Sequence, residues 1–254
     1  MKRYVKRFVV QLLNSNKLSN PANPLTGNHV YDGYFDELCF VNGIWTLNGT
    51  GRSAAKYSRD MIVLVLESPH IDEFNSNGGG IHPLVKDRYL STYLSQLINS
   101  AFKNGILTLN NTKTYSIYLM NAIQYQCSLG ISTEFYRDYV FMYLWENLSK
   151  GFETRLKNLI ATNNVEAIIN LCTVGSHKQC NSVFNPSVNR YENMYKKFGI
   201  CFLKKAKFNI QGNIKKYTIK HIVQQKIDKI SPTIQHLSGN HPSTPSFNKP
   251  FQKI

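Results

Sequence analysis

Acidic residues are scarce in this 254-residue chain. Fifteen Asp and Glu stand against thirty Lys and Arg, leaving a formal net charge of +15. A balance this basic points to a polyanionic partner, because each phosphate contact releases condensed counterions. Anionic membrane is the alternative, but no segment joins a long apolar face to a basic one. Long hydrophobic runs are also missing, and none approaches the ~20 residues of a membrane-spanning helix. The N-terminal MKRYVKRFVVQLL has a short apolar run broken by Gln11, with no small-residue cleavage site after it. It reads as a basic amphipathic segment rather than a signal peptide. Cysteines are few and odd in number: Cys39, Cys127, Cys172, Cys180 and Cys201, with no C-x-x-C pair. That argues against a disulfide framework and against zinc or iron–sulfur sites, and for buried free thiols in a reducing cytoplasm. The seven histidines do not fall at metal-ligand spacings. The expectation is a cytoplasmic monomer with no cofactor, no metal and no membrane contact. There is no internal repeat and no low-complexity tract. Gly49-Thr50-Gly51-Arg52 and Gly78-Gly79-Gly80 lack the strand–loop–helix setting of a phosphate loop.

What is present is an alternation of strand and helix patterns. Residues 1–58 are polar, aromatic and turn-rich, with short strand-like pieces at Glu37–Val41 and Ile44–Leu47. They read as an N-terminal extension packed on a core domain spanning 59–254. MIVLVL at 61–66, YSIYLM at 115–120 and VEAIINL at 165–171 read as buried strands, and IQHLS at 234–238 as a shorter one. Helical spacing marks 87–102 and 136–160. The pattern predicts an α/β protein: three α/β/α layers around a central four-stranded parallel sheet.

Between the third and fourth strands lies an insertion at about 181–233, with 11 Lys and Arg against 2 Asp and Glu. Within it, GICFLKKAKFNIQGNIKKYTIKHIV reads as a β-hairpin studded with Lys204, Lys205, Lys207, Lys215, Lys216 and Lys220. Such a ribbon either lies along a nucleic-acid backbone or uses its lysines to block edge-to-edge pairing.

In an open parallel sheet, ligands bind beyond the carboxyl ends of the strands. All four predicted strands end in chemically informative residues. They are Glu67-Ser68-Pro69-His70, Asn121-Ala122, Cys172-Thr173-Val174-Gly175-Ser176-His177, and Asn240-His241-Pro242-Ser243-Thr244-Pro245-Ser246. Each alone is commonly a cap or turn former; their joint placement at one edge points to a site.

These motifs, in this order, resemble the uracil-DNA glycosylase superfamily. ESPH follows the first strand, where that family has a G-Q-D-P-Y or G-E-A-P-G motif. LMNAIQ at 119–124 is similar to its second strand, which ends in Asn and a small residue. The helix–strand–Gly stretch at 145–179 is similar too, and HPSTPS at 241–246 resembles H-P-S-P-L-S. The likeness covers about 60–180 and 234–247. It implies a DNA glycosylase, an N-glycosyl hydrolase that flips a pyrimidine out of DNA and leaves an abasic site. Repair or defence against phage would be its setting, the latter in the host-cell cytoplasm or nucleoid.

By that resemblance Asn121 reads the pyrimidine edge, its carboxamide offering a donor and an acceptor that fit uracil or, turned over, cytosine. His241 stabilises negative charge developing on the base. Ser243 and Ser246 grip flanking phosphates, and Pro245 or Phe247 forms the wedge. The family's water-positioning Asp is replaced by Ser68, so Glu67 is the first candidate for that role and Asp72 the second. Glu67 is equally suited to a structural hydrogen bond with the motif loop. His70 stands where the family's Tyr gates the 5-position, next to Pro69 and ahead of the Gly-rich stretch. A roomier pocket follows, admitting 5-substituted pyrimidines such as glucosylated hydroxymethylcytosine. The stacking residue is Phe74, His82 or Tyr89. A non-catalytic DNA-binding or damage-sensing module on the same fold is the alternative, and an unrelated doubly wound enzyme for a small phosphorylated substrate is a third reading.

Overall fold

In a computed structural model, the described residues are 29–49, 58–69, 73, 88–125, 127, 133–173, 219–242 and 249–254. Through them the chain runs β1 (Gly33–Val41), β2 (Ile44–Leu47), β3 (Asp60–Leu66), α1 (Arg88–Lys103), β4 (Tyr115–Asn121) and α2 (Thr133–Thr162). It continues with β5 (Asn164–Asn170), α3 (Ile219–Ile230), β6 (Gln235–Ser238) and β7 (Gln252–Lys253). One mixed sheet of seven strands results, in the order β2-β1-β4-β3-β5-β6-β7. β4, β3, β5 and β6 are parallel neighbours. β1 adds antiparallel to β4 on one side, with β2 antiparallel to β1 at the edge, and β7 adds antiparallel to β6 on the other.

The expected four-stranded parallel sheet is therefore corrected to a seven-stranded mixed one. The four parallel strands carry apolar runs long enough to read directly. The flanking strands do not: β1 buries only Asp36 and Leu38, and β7 has two exposed residues. Strands β1 and β2, expected as part of an extension lying on the core, are the edge of the sheet itself. Trp45 of β2 is fully buried and packs edge-on against Tyr115 of β4 and Phe102 of α1.

Successive side chains of a strand point to opposite faces, so a run such as MIVLVL must be covered on both. Met61, Val63 and Val65 join a core with α2 (Phe141, Phe152, Leu156) and α3 (Ile219, Val223, Ile227). Ile62, Leu64 and Leu66 join a second core with α1, whose Leu90, Leu94, Leu97, Ile98 and Ala101 recur at helical spacing. Helix α1 stops where Gly105 takes φ +67°, letting the Ile106 N–H bond the Ala101 carbonyl at 2.9 Å.

The inserted hairpin is corrected at its C-terminal end. Residues 219–223, expected in its second strand, open helix α3, because Ile219, Val223 and Ile227 are buried at a spacing of four. Lys220 therefore sits on a helix. The remainder of that hairpin, with Lys204, Lys205, Lys207, Lys215 and Lys216, lies outside the described residues. Among the described residues, no helix is long and apolar enough to cross a membrane.

Candidate functional site

From β3 the chain moves outward to β4, then returns past β3 to β5 and β6. The strand order thus reverses between β3 and β5, and the crevice beyond their carboxyl ends is where an open α/β sheet binds ligands. Glu67, Ser68 and Pro69 follow β3 there, and all three are buried. Asn121 ends β4 and Asn170 ends β5. His241 lies three residues beyond β6, half-buried, with Pro242 buried after it. Because β1 runs antiparallel to β4, with Gly33 opposite Leu119, it brings Asp32 to the same edge.

Two asparagines at this edge are both fully buried, and their carboxamides are treated oppositely. Asn170 is saturated. Its Nδ2 donates to the Lys220 carbonyl at 3.0 Å and to Gln224 Oε1 at 2.9 Å, and its Oδ1 accepts from the Cys172 N–H at 3.0 Å. Asn121 has neither Oδ1 nor Nδ2 bonded to anything. Leaving such an amide unpaired costs ~1–3 kcal/mol per polar group, so folding alone gives no reason to keep it. By strand alternation its side chain belongs with Tyr115, Ile117 and Leu119, on the α1 face.

The backbone of Asn121, in contrast, is held from several sides. Its N–H donates to Asp32 Oδ1 at 3.2 Å, and its carbonyl accepts from the Arg155 guanidinium at 2.8 Å. Asp32 and Arg155 also pair with each other, their side chains 7% and 24% exposed. Burial raises the Asp32 carboxyl above its usual range, while the charge and hydrogen bonds of Arg155 pull it back down. The next two N–H groups bond across to the end of β3: Ala122 to Leu66 O at 2.7 Å and Ile123 to Glu67 O at 3.0 Å. A cavity of about 360 Å³ opens onto this brace, bounded by Tyr31, Tyr118 and Gln124 as well as Asp32 and Arg155. Burial of Tyr118 lifts its hydroxyl to about 12.

Glu67, the first candidate for positioning water, spans the reversal point. Its Oε2 accepts from both the N–H (3.1 Å) and the hydroxyl of Thr173, beyond β5. The structural hydrogen bond weighed for this residue is present. Cys172 beside it has its thiol held well above its ordinary range by burial and then by the charge of Glu67, so it is no nucleophile.

Lys220, at the head of α3, donates its ammonium to the carbonyl of Gly239, and burial lowers its pKa. Gly239 also donates its N–H to Asn170 O at 3.1 Å. A Cβ at this glycine would lie 2.7 Å from Leu171 Cδ2 and 2.8 Å from the Phe251 ring. The turn that launches Asn240 and His241 is thereby fixed by Lys220, Asn170 and close packing.

Asp72, His70, Phe74, His82, Ser243, Pro245, Ser246 and Phe247 lie outside the described residues, as does the side chain of Tyr89. The structure brings Asn121, Glu67 and Ser68 to one edge with the start of the His241 turn. Sequence reading missed Asp32, Arg155 and Asn170; it had Thr173 only as part of a strand end and Lys220 only as a hairpin lysine. Only Asn170 carried a signal, as an amide inside an apolar strand.

A Ser–His–Asp chain occurs at the opposite edge. Ser231 Oγ lies 3.0 Å from His236 Nε2, and His236 Nδ1 lies 2.9 Å from Asp228 Oδ1. Ser231 is 3% exposed and its hydroxyl donates to Ile227 O at 2.9 Å. It caps the end of α3 and offers no accessible nucleophile. No group of three or more His, Cys, Asp or Glu side chains suited to a metal occurs among the described residues.

No protein-family model matches this chain, and no curated protein or solved structure matches it either.

Proposed function

We propose that this protein is a DNA glycosylase that hydrolyses the N-glycosidic bond of a flipped pyrimidine and leaves an abasic site. The observation that carries the reading is the Asn121 carboxamide: fully buried, unbonded at both ends, and set on a braced backbone at the carboxyl edge of a parallel sheet. A donor and acceptor side by side match the Watson–Crick edge of a pyrimidine. Asn121 reads the base, and His241 stabilises the departing base as charge builds on it. The excess of cationic side chains supports a DNA partner.

The reaction is dissociative, so the leaving base carries most of the demand and water attacks an oxocarbenium-like sugar. Glu67 is bonded to Thr173, and its role becomes that of joining the end of β3 to the end of β5. Asp72 is then the remaining carboxylate proposed to place water. The same observation favours a second reading, a non-catalytic DNA-binding module, because Glu67 is engaged structurally.

Single- and double-stranded DNA containing uracil, and phage DNA containing glucosylated hydroxymethylcytosine, would be incubated with the protein and then treated with alkali. Strand breaks that disappear in Asn121→Ala and His241→Ala support excision. Salt-sensitive binding without breaks on any substrate supports the second reading. Absence of DNA affinity at low salt contradicts both.

A further inference from the structure

We infer that the Asn121 carboxamide is fixed in place but not in orientation, so that the protein accepts pyrimidines of both hydrogen-bonding polarities. This rests on the proposed role of Asn121 as the reader of the base. A uracil-like edge presents an N3–H donor and an O4 acceptor. A cytosine-like edge presents an N3 acceptor and an N4 amino donor. Turning a carboxamide by half a revolution about its terminal torsion exchanges its own donor and acceptor, and that torsion is broadly two-fold.

What normally forbids the turn is a hydrogen bond to the amide itself. Asn170 shows the forbidden case within this same sheet. Three bonds, to Lys220 O, Gln224 Oε1 and Cys172 N–H, specify which end is nitrogen, and reversing it would set donor against donor. Asn121 has no such bond at either atom, although it is equally buried. Its restraints act on the peptide instead: Asp32 on the N–H, Arg155 on the carbonyl, and the Ala122 and Ile123 N–H groups on the end of β3. These restraints are the same for both orientations of the carboxamide. The bound base therefore decides which way it lies.

The consequence is a specificity that does not reside in the Watson–Crick edge. A site whose polar groups are locked to one pattern rejects the wrong pattern by about 10⁴–10⁵. A carboxamide that turns over at little cost loses that discrimination. Choice among pyrimidines then falls to other parts of the site.

The test uses the full chain and single-stranded oligonucleotides whose other bases are all purines. Each carries one uracil, one cytosine, one 5-hydroxymethyluracil or one 5-hydroxymethylcytosine. Single-turnover formation of alkali-labile sites is measured. The expected result is that the two members of each pair, matched at the 5-position, half-saturate the single-turnover rate at protein concentrations within about tenfold of each other, whatever their intrinsic leaving ability. Asn121→Ala should slow both alike. A larger preference for one edge in either pair overturns the inference while leaving base excision standing.

If no oligonucleotide loses a base, excision itself fails, and a second readout decides the inference. The asparagine side chains are labelled with ¹⁵N, and free uracil and free cytosine are added separately. Both bases should shift the Asn121 Nδ2 signals and leave those of Asn170 in place. A response to only one base, or to neither, overturns the inference.

Discussion

The Arg155 guanidinium donates to the carbonyl of Asn121 at 2.8 Å, across 34 residues of sequence, while pairing with Asp32, which receives the Asn121 N–H. One ion pair therefore holds both backbone polar groups of the residue that is the proposed reader.

Arg155→Met should destabilise the fold by about 3 kcal/mol, the low end for breaking a buried pair, because Asp32 can take up a proton once its partner is gone. The double variant Asp32→Asn, Arg155→Met should lose less than Arg155→Met alone. Urea unfolding at neutral pH measures these two and the single variant Asp32→Asn. Additive losses would show that the two side chains do not act together. In Arg155→Ala, low-millimolar guanidinium entering the adjacent 360 Å³ cavity should restore part of the excision rate.

Gly239→Ala should lower stability by about 1–3 kcal/mol through overpacking. The added methyl meets Leu171 and Phe251 at 2.7 and 2.8 Å. Because the same turn launches His241, base release should fall as well. A thermal melt together with an excision assay checks both, and an unchanged melting temperature would contradict the packing argument.

Glu153 couples α2 to α3: its carboxylate accepts from Lys157 at 2.7 Å and from Lys226 at 3.0 Å. These hydrogen bonds, that from Lys157 first, lower its pKa from 4.5 to about 2. A carboxylate depressed on folding contributes stability above its unfolded pKa and loses it as pH falls through the folded value. The wild type should therefore lose stability between pH 4.5 and about 2, and Glu153→Gln should lose less across that window. Melting temperatures taken through the acid range test this; parallel curves for the two proteins would contradict it.

Sequence legibility followed the strength of local pattern. MIVLVL, YSIYLM and VEAIINL were readable because a strand covered on both faces must be apolar throughout. The antiparallel flanks were harder: β1 holds Asp36 at a buried position, and β7 is two residues long. IKHIV was misread as strand because two isoleucines and a valine fit either period until the buried positions are known. Asn121 was legible from its place after a strand and from resemblance. Asp32 and Arg155 were not, since a pair 123 residues apart leaves no local trace. Nor can sequence distinguish a saturated buried asparagine from an orphaned one; Asn170 and Asn121 look alike until their partners are traced.

That contrast gives the most direct test of the account. Asn121→Ala and Asn170→Ala would be compared by thermal melting and by abasic-site formation on the preferred DNA substrate. Asn170→Ala should lower stability by about 1–3 kcal/mol, because it leaves buried partners unsatisfied. Asn121→Ala should melt at or above the wild-type temperature, because it removes an unpaired buried amide, and should abolish base release. An Asn121→Ala protein that is destabilised like Asn170→Ala yet still releases the base would contradict the account.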